Sequence, residues 1–86
     1  MSKLYLEDIV DVNTPYPYVF VYMLEENEIF SPGQFAPFMD LAVQRDRSLR
    51  MTVFESANPV SLTLEQWNEI ARVAREYRQE TLENDD

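Results

Sequence analysis

The 86-residue chain contains neither cysteine nor histidine. The first absence removes disulfides, thiolate nucleophiles and cysteine zinc sites; the second removes the commonest metal ligand and the usual general base near neutral pH. Basic residues are scarce, seven against 16 carboxylates, which leaves a formal charge of −9. Affinity for nucleic acid comes largely from Lys and Arg displacing counterions from phosphates, so this balance favours solubility and argues against nucleic acid as a partner. No repeat or Gly/Ser-rich linker interrupts the chain, and its amino-terminal MSKLYLED has no long apolar stretch behind a charged start. No apolar run approaches the roughly 20 residues of a membrane span. Together these absences predict a soluble, non-enzymatic domain of a reducing cytoplasm, with no cofactor, metal or membrane contact.

What is present is an aromatic, β-branched run, Tyr16 to Leu24 (YPYVFVYML). Tyr18, Phe20, Tyr22 and Leu24 point one way and Val19, Val21 and Met23 the other, so both faces are apolar. Such a strand belongs in the middle of a sheet or at a subunit interface. A chain this short buries a modest core, which adds a second reason to expect a homodimer.

The pattern predicts an α+β domain: an antiparallel meander of three to four strands packed by one long C-terminal amphipathic helix. Lys3 to Val12 reads as the first strand, with Leu4, Leu6, Val10 and Val12 on one face and Asp8 interrupting it. Asn13-Thr14-Pro15 supplies a turn into the aromatic strand, Tyr18 to Leu24, and Pro17 is tolerable only at its start. Glu25, Glu26, Asn27 and Glu28 end that strand, and Ile29-Phe30 makes a brief return. Pro37 would fall inside any helix begun at Ser31-Pro32, at a cost of about 3 kcal/mol. A loop through SPGQFAP is therefore expected, then a strand in which Met39, Leu41 and Val43 alternate with Asp40, Ala42 and Gln44. A short helix at 37–46 is the competitor. Leu49 to Glu55 gives the next strand. Thr63 and Gln66 fit a capping box, and Leu64, Trp67, Ile70, Ala71, Ala74 and Tyr77 make an apolar stripe over a helix at 64–82. Residues 1–82 form the single domain and 83–86 a frayed acidic tail, whose charge opposes the helix dipole and should shorten the last turn.

Candidate sites follow from charge and rings. Glu7, Asp8 and Asp11 on the first strand and Glu25, Glu26 and Glu28 in the acidic turn could meet a basic protein where that protein normally holds phosphates. Tyr16, Tyr18 and Tyr22 could add amphipathic anchors. On this reading the chain is an interaction domain of the inhibitor, immunity or nucleic-acid-mimic kind, or a domain with a hydrophobic partner surface. Arg45, Arg47 and Arg50 flank one turn and form an alternative anion site of fork-shaped donors. The acidic turn lacks the alternating ligands and central glycine of a calcium loop.

The segment Val60-Ser61-Leu62-Thr63-Leu64-Glu65-Gln66-Trp67 resembles the strand-to-helix junction of the single-stranded-DNA-binding transcriptional coactivators, the positive cofactor four family. There a similar hydrophobic-Ser-Leu, two residues, Glu-Gln-Trp run enters a C-terminal helix after a curved antiparallel sheet. The resemblance covers about eight residues and a compatible element order. It implies single-strand binding on a basic, aromatic-bearing sheet and dimerisation through the helix, with Arg45, Arg47 and Arg50 supplying the charge.

Overall fold

A computed structural model describes residues 2–84. Four strands, β1 (Ser2–Ile9), β2 (Tyr18–Glu25), β3 (Met39–Val43) and β4 (Leu49–Val53), precede one helix, α1 (Leu64–Glu83). The strands form an antiparallel sheet in the order β1-β2-β3-β4, so the aromatic strand is internal and β1 and β4 are the edges. Register follows the side-chain alternation: Leu6 lies opposite Val21, Val21 opposite Met39 and Met39 opposite Val53, which sets one apolar face across all four strands.

Helix α1 covers that face. Ile70 and Ala74 are buried against Val19, Val21, Met39 and Leu41, with Val73 and Tyr77 packed beside them. The capping box forms as its spacing requires: Gln66 N donates to Thr63 Oγ1 at 3.0 Å and Thr63 N to Gln66 Oε1 at 2.9 Å. Two ties fix the helix on the sheet. Near its start Gln66 Nε2 donates to Ser2 O at 3.2 Å, and three turns later the Tyr77 hydroxyl donates to Pro17 O and accepts from Val43 N. Its N-terminal end therefore lies over the Ser2 and Met23 end of the sheet, and its C-terminal end over the two hairpin turns.

The opposite face has no helix, yet Tyr22 and Leu24 are buried on it. The long β2–β3 connection supplies the cover, laying the Phe30 ring on Tyr5 at 4.1 Å between centroids, edge-on to Tyr22, with Phe35 stacked on Phe30. This is where Ile29-Phe30 departs from expectation. It forms no strand, and the Phe30 ring is held instead by Tyr5, Tyr22 and Phe35.

Two further expectations are corrected, and one open alternative is decided in favour of the expected strand. The first strand stops at Ile9, leaving Val10 and Val12 exposed. Asp11 Oδ1 accepts from Asn13 N at 2.8 Å, a side-chain turn that competes with the ladder just where Pro15 and Pro17 withhold donors. No helix forms at 37–46; the alternating burial of Met39–Val43 makes it β3. The acidic end does not shorten the helix, which runs one residue past the expected boundary, with Asn84 N donating to Glu80 O at 3.0 Å. The rest of the expected tail, residues 85 and 86, lies outside the described residues.

Candidate interaction surface

The acidic residues singled out from sequence do not converge. Glu25, Glu26 and Glu28 lie at one end of the β1–β2 hairpin, whereas Asp8 and Asp11 lie at the other, roughly 20 Å away along the strands. Several are also engaged locally. Glu28 Oε1 accepts from Glu25 N at 2.6 Å, and Glu26 O accepts from Lys3 Nζ at 3.1 Å. Glu7 faces away from α1 and accepts the Tyr22 hydroxyl at 2.8 Å. Burial of the ring, then that hydrogen bond and the Glu7 charge, push the Tyr22 hydroxyl up to about 12. Asp8 faces the helix side, in a shallow groove with Tyr16, Pro17, Tyr77 and Glu80. Of the tyrosine anchors, Tyr22 is in the core, Tyr16 and Tyr18 are half-buried, and Tyr18 packs edge-on to Phe20.

The arginines divide in a similar way. Ala42 and Arg50 are opposed on the face away from α1, and Arg45 is exposed in the turn. Arg47 turns toward the helix. Its carbonyl accepts Arg78 Nε at 3.1 Å, and Arg47, Arg75 and Arg78 line one open groove of about 550 Å³ floored by Leu49 and Leu82. Sequence reading missed Arg75 and Arg78. The signal was present: Trp67, Ala71, Arg75, Arg78 and Leu82 follow i, i+4, i+8, i+11, i+15 and mark one flank of the helix.

That flank borders an open apolar surface. Helix α1 is centred over the inner strands, so the helix-side residues of β4 remain open: Val53 is 68% exposed and Met51 36%. Trp67, 47% exposed, shares a groove with Val53, and Leu64 is 75% exposed; both belong to the expected buried stripe and miss the core because the stripe is wider than the contact. At the helix start Val53, Phe54, Val60, Leu62 and Trp67 enclose a groove of about 210 Å³ that reaches Phe38 and Met39. The strip thus runs from an apolar groove at Trp67, past Met51, to the arginine groove at Arg78.

Asp40, opposite Phe20 and Thr52, has a buried Oδ1 with no hydrogen-bond partner. Among the described residues no group of three or more acidic side chains gathers as a metal-ligand set. No helix there is long and apolar enough to cross a membrane.

The chain matches no protein-family model, no curated protein and no solved structure.

Proposed function

We propose that this chain is a small non-enzymatic protein-interaction domain that engages its partner through the strip formed by β4 and the adjoining flank of α1. One observation carries the reading: Val53 on an edge strand and Trp67 on the helix, both exposed, line one apolar groove, with exposed Met51 and Leu64 on the same two elements. Scattered surface hydrophobics need no explanation, whereas a contiguous strip along an open sheet edge is costly to leave bare. The lack of histidine and cysteine supports the non-enzymatic part. A phosphate-mimicking inhibitor needs a continuous acidic track, and the separation of Glu25 and Glu28 from Asp8 and Asp11 favours the hydrophobic docking surface instead. The acidic remainder of the surface then steers association and keeps the free domain soluble.

A photo-crosslinking residue placed at Val53, and separately at Lys3 on the opposite edge, tests this in the source cell. Protein adducts from position 53 and none from position 3 are expected; equal labelling from both would sink the assignment.

A second reading, single-stranded nucleic-acid binding, is favoured by the convergence of Arg47, Arg75 and Arg78 in one groove and by the sheet-then-helix order. Against it, Tyr5, Tyr22 and Phe30, rings that could stack bases, pack on one another, Tyr5 stacked on Phe30 and both edge-on to Tyr22. Oligonucleotide binding that weakens steeply with salt and is lost in Arg75→Gln/Arg78→Gln would establish it in place of the first.

A further inference from the structure

We propose that the partner on this strip is a second copy of the chain, paired through the outer edge of β4 in an antiparallel register centred on Met51. The inference rests on the interaction-domain reading and names its occupant.

The backbone parity of β4 comes first. Gln44 N donates to Ser48 O and Phe54 N to Phe38 O, both at 2.8 Å, so the even-numbered residues of β4 direct their main-chain groups at β3. Antiparallel ladders alternate, and Leu49, Met51 and Val53 therefore turn their N–H and C=O groups to the free edge. A partner strand must match those groups.

A second copy of the same segment does so in a way the side chains favour. For the helix-side faces of both copies to lie on one side of the joined sheet, opposed residue numbers must add to an even sum. Centring on Met51 places Met51 against its symmetry mate, Leu49 against Val53 of the other copy and Arg50 against Thr52. All the free main-chain groups are then paired, and the two apolar strips adjoin between the two helices. Just beyond the strand ends, Arg47 comes level with Glu55 of the second copy, twice by symmetry. Centring one residue earlier puts Arg50 against Arg50, a like-charge pair at the closest type of strand contact. Centring one residue later sets Leu49 against Glu55. The segment Arg47-Ser48-Leu49-Arg50-Met51-Thr52-Val53-Phe54-Glu55 is self-complementary in one register only.

Net charge is compatible with the pairing. Two chains of −9 repel at long range, but the β4 edge carries Arg45, Arg47 and Arg50 against Asp46 and Glu55, so the copies meet on the side where acids do not predominate. The opposite edge, with Glu7 and Asp8, stays outermost.

Because the chain has no cysteine, single cysteines read the register directly. Opposed hydrogen-bonded residues lie about 5.5 Å apart between Cα atoms, inside the range a disulfide spans. Met51→Cys is expected to form an intermolecular disulfide rapidly under mild oxidation. Leu49→Cys alone should not, since residue 49 of each copy is offset by four positions, about 13 Å. Mixing Leu49→Cys with Val53→Cys restores cross-linking. Sedimentation of the unmodified chain at micromolar concentration should give twice 10.2 kDa. Val53→Glu should weaken the association at least about tenfold while leaving the far-ultraviolet spectrum unchanged. A 10.2 kDa species throughout, or Leu49→Cys cross-linking as fast as Met51→Cys, overturns the proposal. Photo-adducts from Val53 to a different protein, with Met51→Cys staying monomeric, would overturn the second copy and leave the interaction reading standing.

Discussion

The two edges of the sheet are opposites. β1 is long and guarded: Lys3, Glu7 and Asp8 spread charge along it, Tyr5 is stacked under Phe30, Glu7 is bonded to Tyr22 and Gln66 reaches across to Ser2 O. β4 is short, has Arg50 as its one charged residue, and shows its apolar side chains to water. Soluble sheets blunt their edges with charge, cover or bulges because a bare edge is a template for another strand. That contrast between a guarded edge and an apolar one is what the proposed docking on β4 rests on, more than on net charge.

The largest expected effect tests whether the strip by β4 is surface and not core. Ile70 is fully buried against the inner strands, so Ile70→Ala should cost about 2–5 kcal/mol in urea unfolding. Val53→Ala, measured at a concentration low enough to keep the chain monomeric, should stay within about 0.5 kcal/mol. A Val53 cost comparable to that of Ile70 would mean that the strip is part of the core, and the comparison of edges would fail.

Next comes the guarding of β1. The Tyr22 hydroxyl rises from 10.0 to about 12 in the fold, first through burial and then through Glu7. Because the folded value is the higher, the folded chain holds this proton more tightly. The corresponding stability is complete below pH 10 and is lost as pH climbs toward 12. At about 1.4 kcal/mol per unit the loss approaches about 3 kcal/mol. Tyr22→Phe should cost about 1–2 kcal/mol at pH 8, where a hydrogen bond to a carboxylate is given up. That deficit should shrink and then change sign between pH 10 and 12, because the loss in the parent exceeds it, the other tyrosines titrating in both proteins. A constant gap across this range would mean that the Glu7 bond does not pin β1.

Much of the architecture was readable in the sequence, because alternation and helical periodicity survive when one side of an element packs. β2, β3 and the capped helix were legible for that reason; Pro37 argued only against a helix begun at Ser31-Pro32, and the choice between strand and short helix at 37–46 was decided by the alternating burial of Met39–Val43. The errors came where local and tertiary preferences compete. Val10 and Val12 continue the alternation of β1, but Asp11 folds its carboxylate back on Asn13 N and ends the strand. Phe30 carries no period and was placed by its ring partners Tyr5, Tyr22 and Phe35, contacts that no periodicity announces. The candidate site was least legible. Composition drew attention to the acids, while the exposed strip depends on how far α1 sits from β4, a distance no sequence pattern encodes. Even so, Leu64 and Trp67 widened the apolar stripe beyond what one contact can bury, and that excess was the clue.

The smallest effect separates stability from pairing at one residue. Arg47 closes the β3–β4 turn with a φ of 71°, donating its N–H to Gln44 O at 2.9 Å. This is the left-handed region, where a side chain costs about 1–2 kcal/mol and glycine nothing. Part of the relief is offset by the greater freedom glycine has when unfolded. Arg47→Gly should therefore raise monomer stability by about 0.5–1 kcal/mol, and the bond from Arg78 Nε survives because it ends on the main-chain oxygen. Association should move the other way. If Arg47 faces Glu55 of a second copy, removing an exposed ion pair worth about 0.2–1 kcal/mol, twice by symmetry, weakens the dimer several-fold. Opposite signs from one substitution, read by urea unfolding of dilute protein and by sedimentation, separate the turn's backbone role from its charge. A variant that gains stability and dimerises as before would leave β4 pairing in place but remove Arg47 from the forces that set its register.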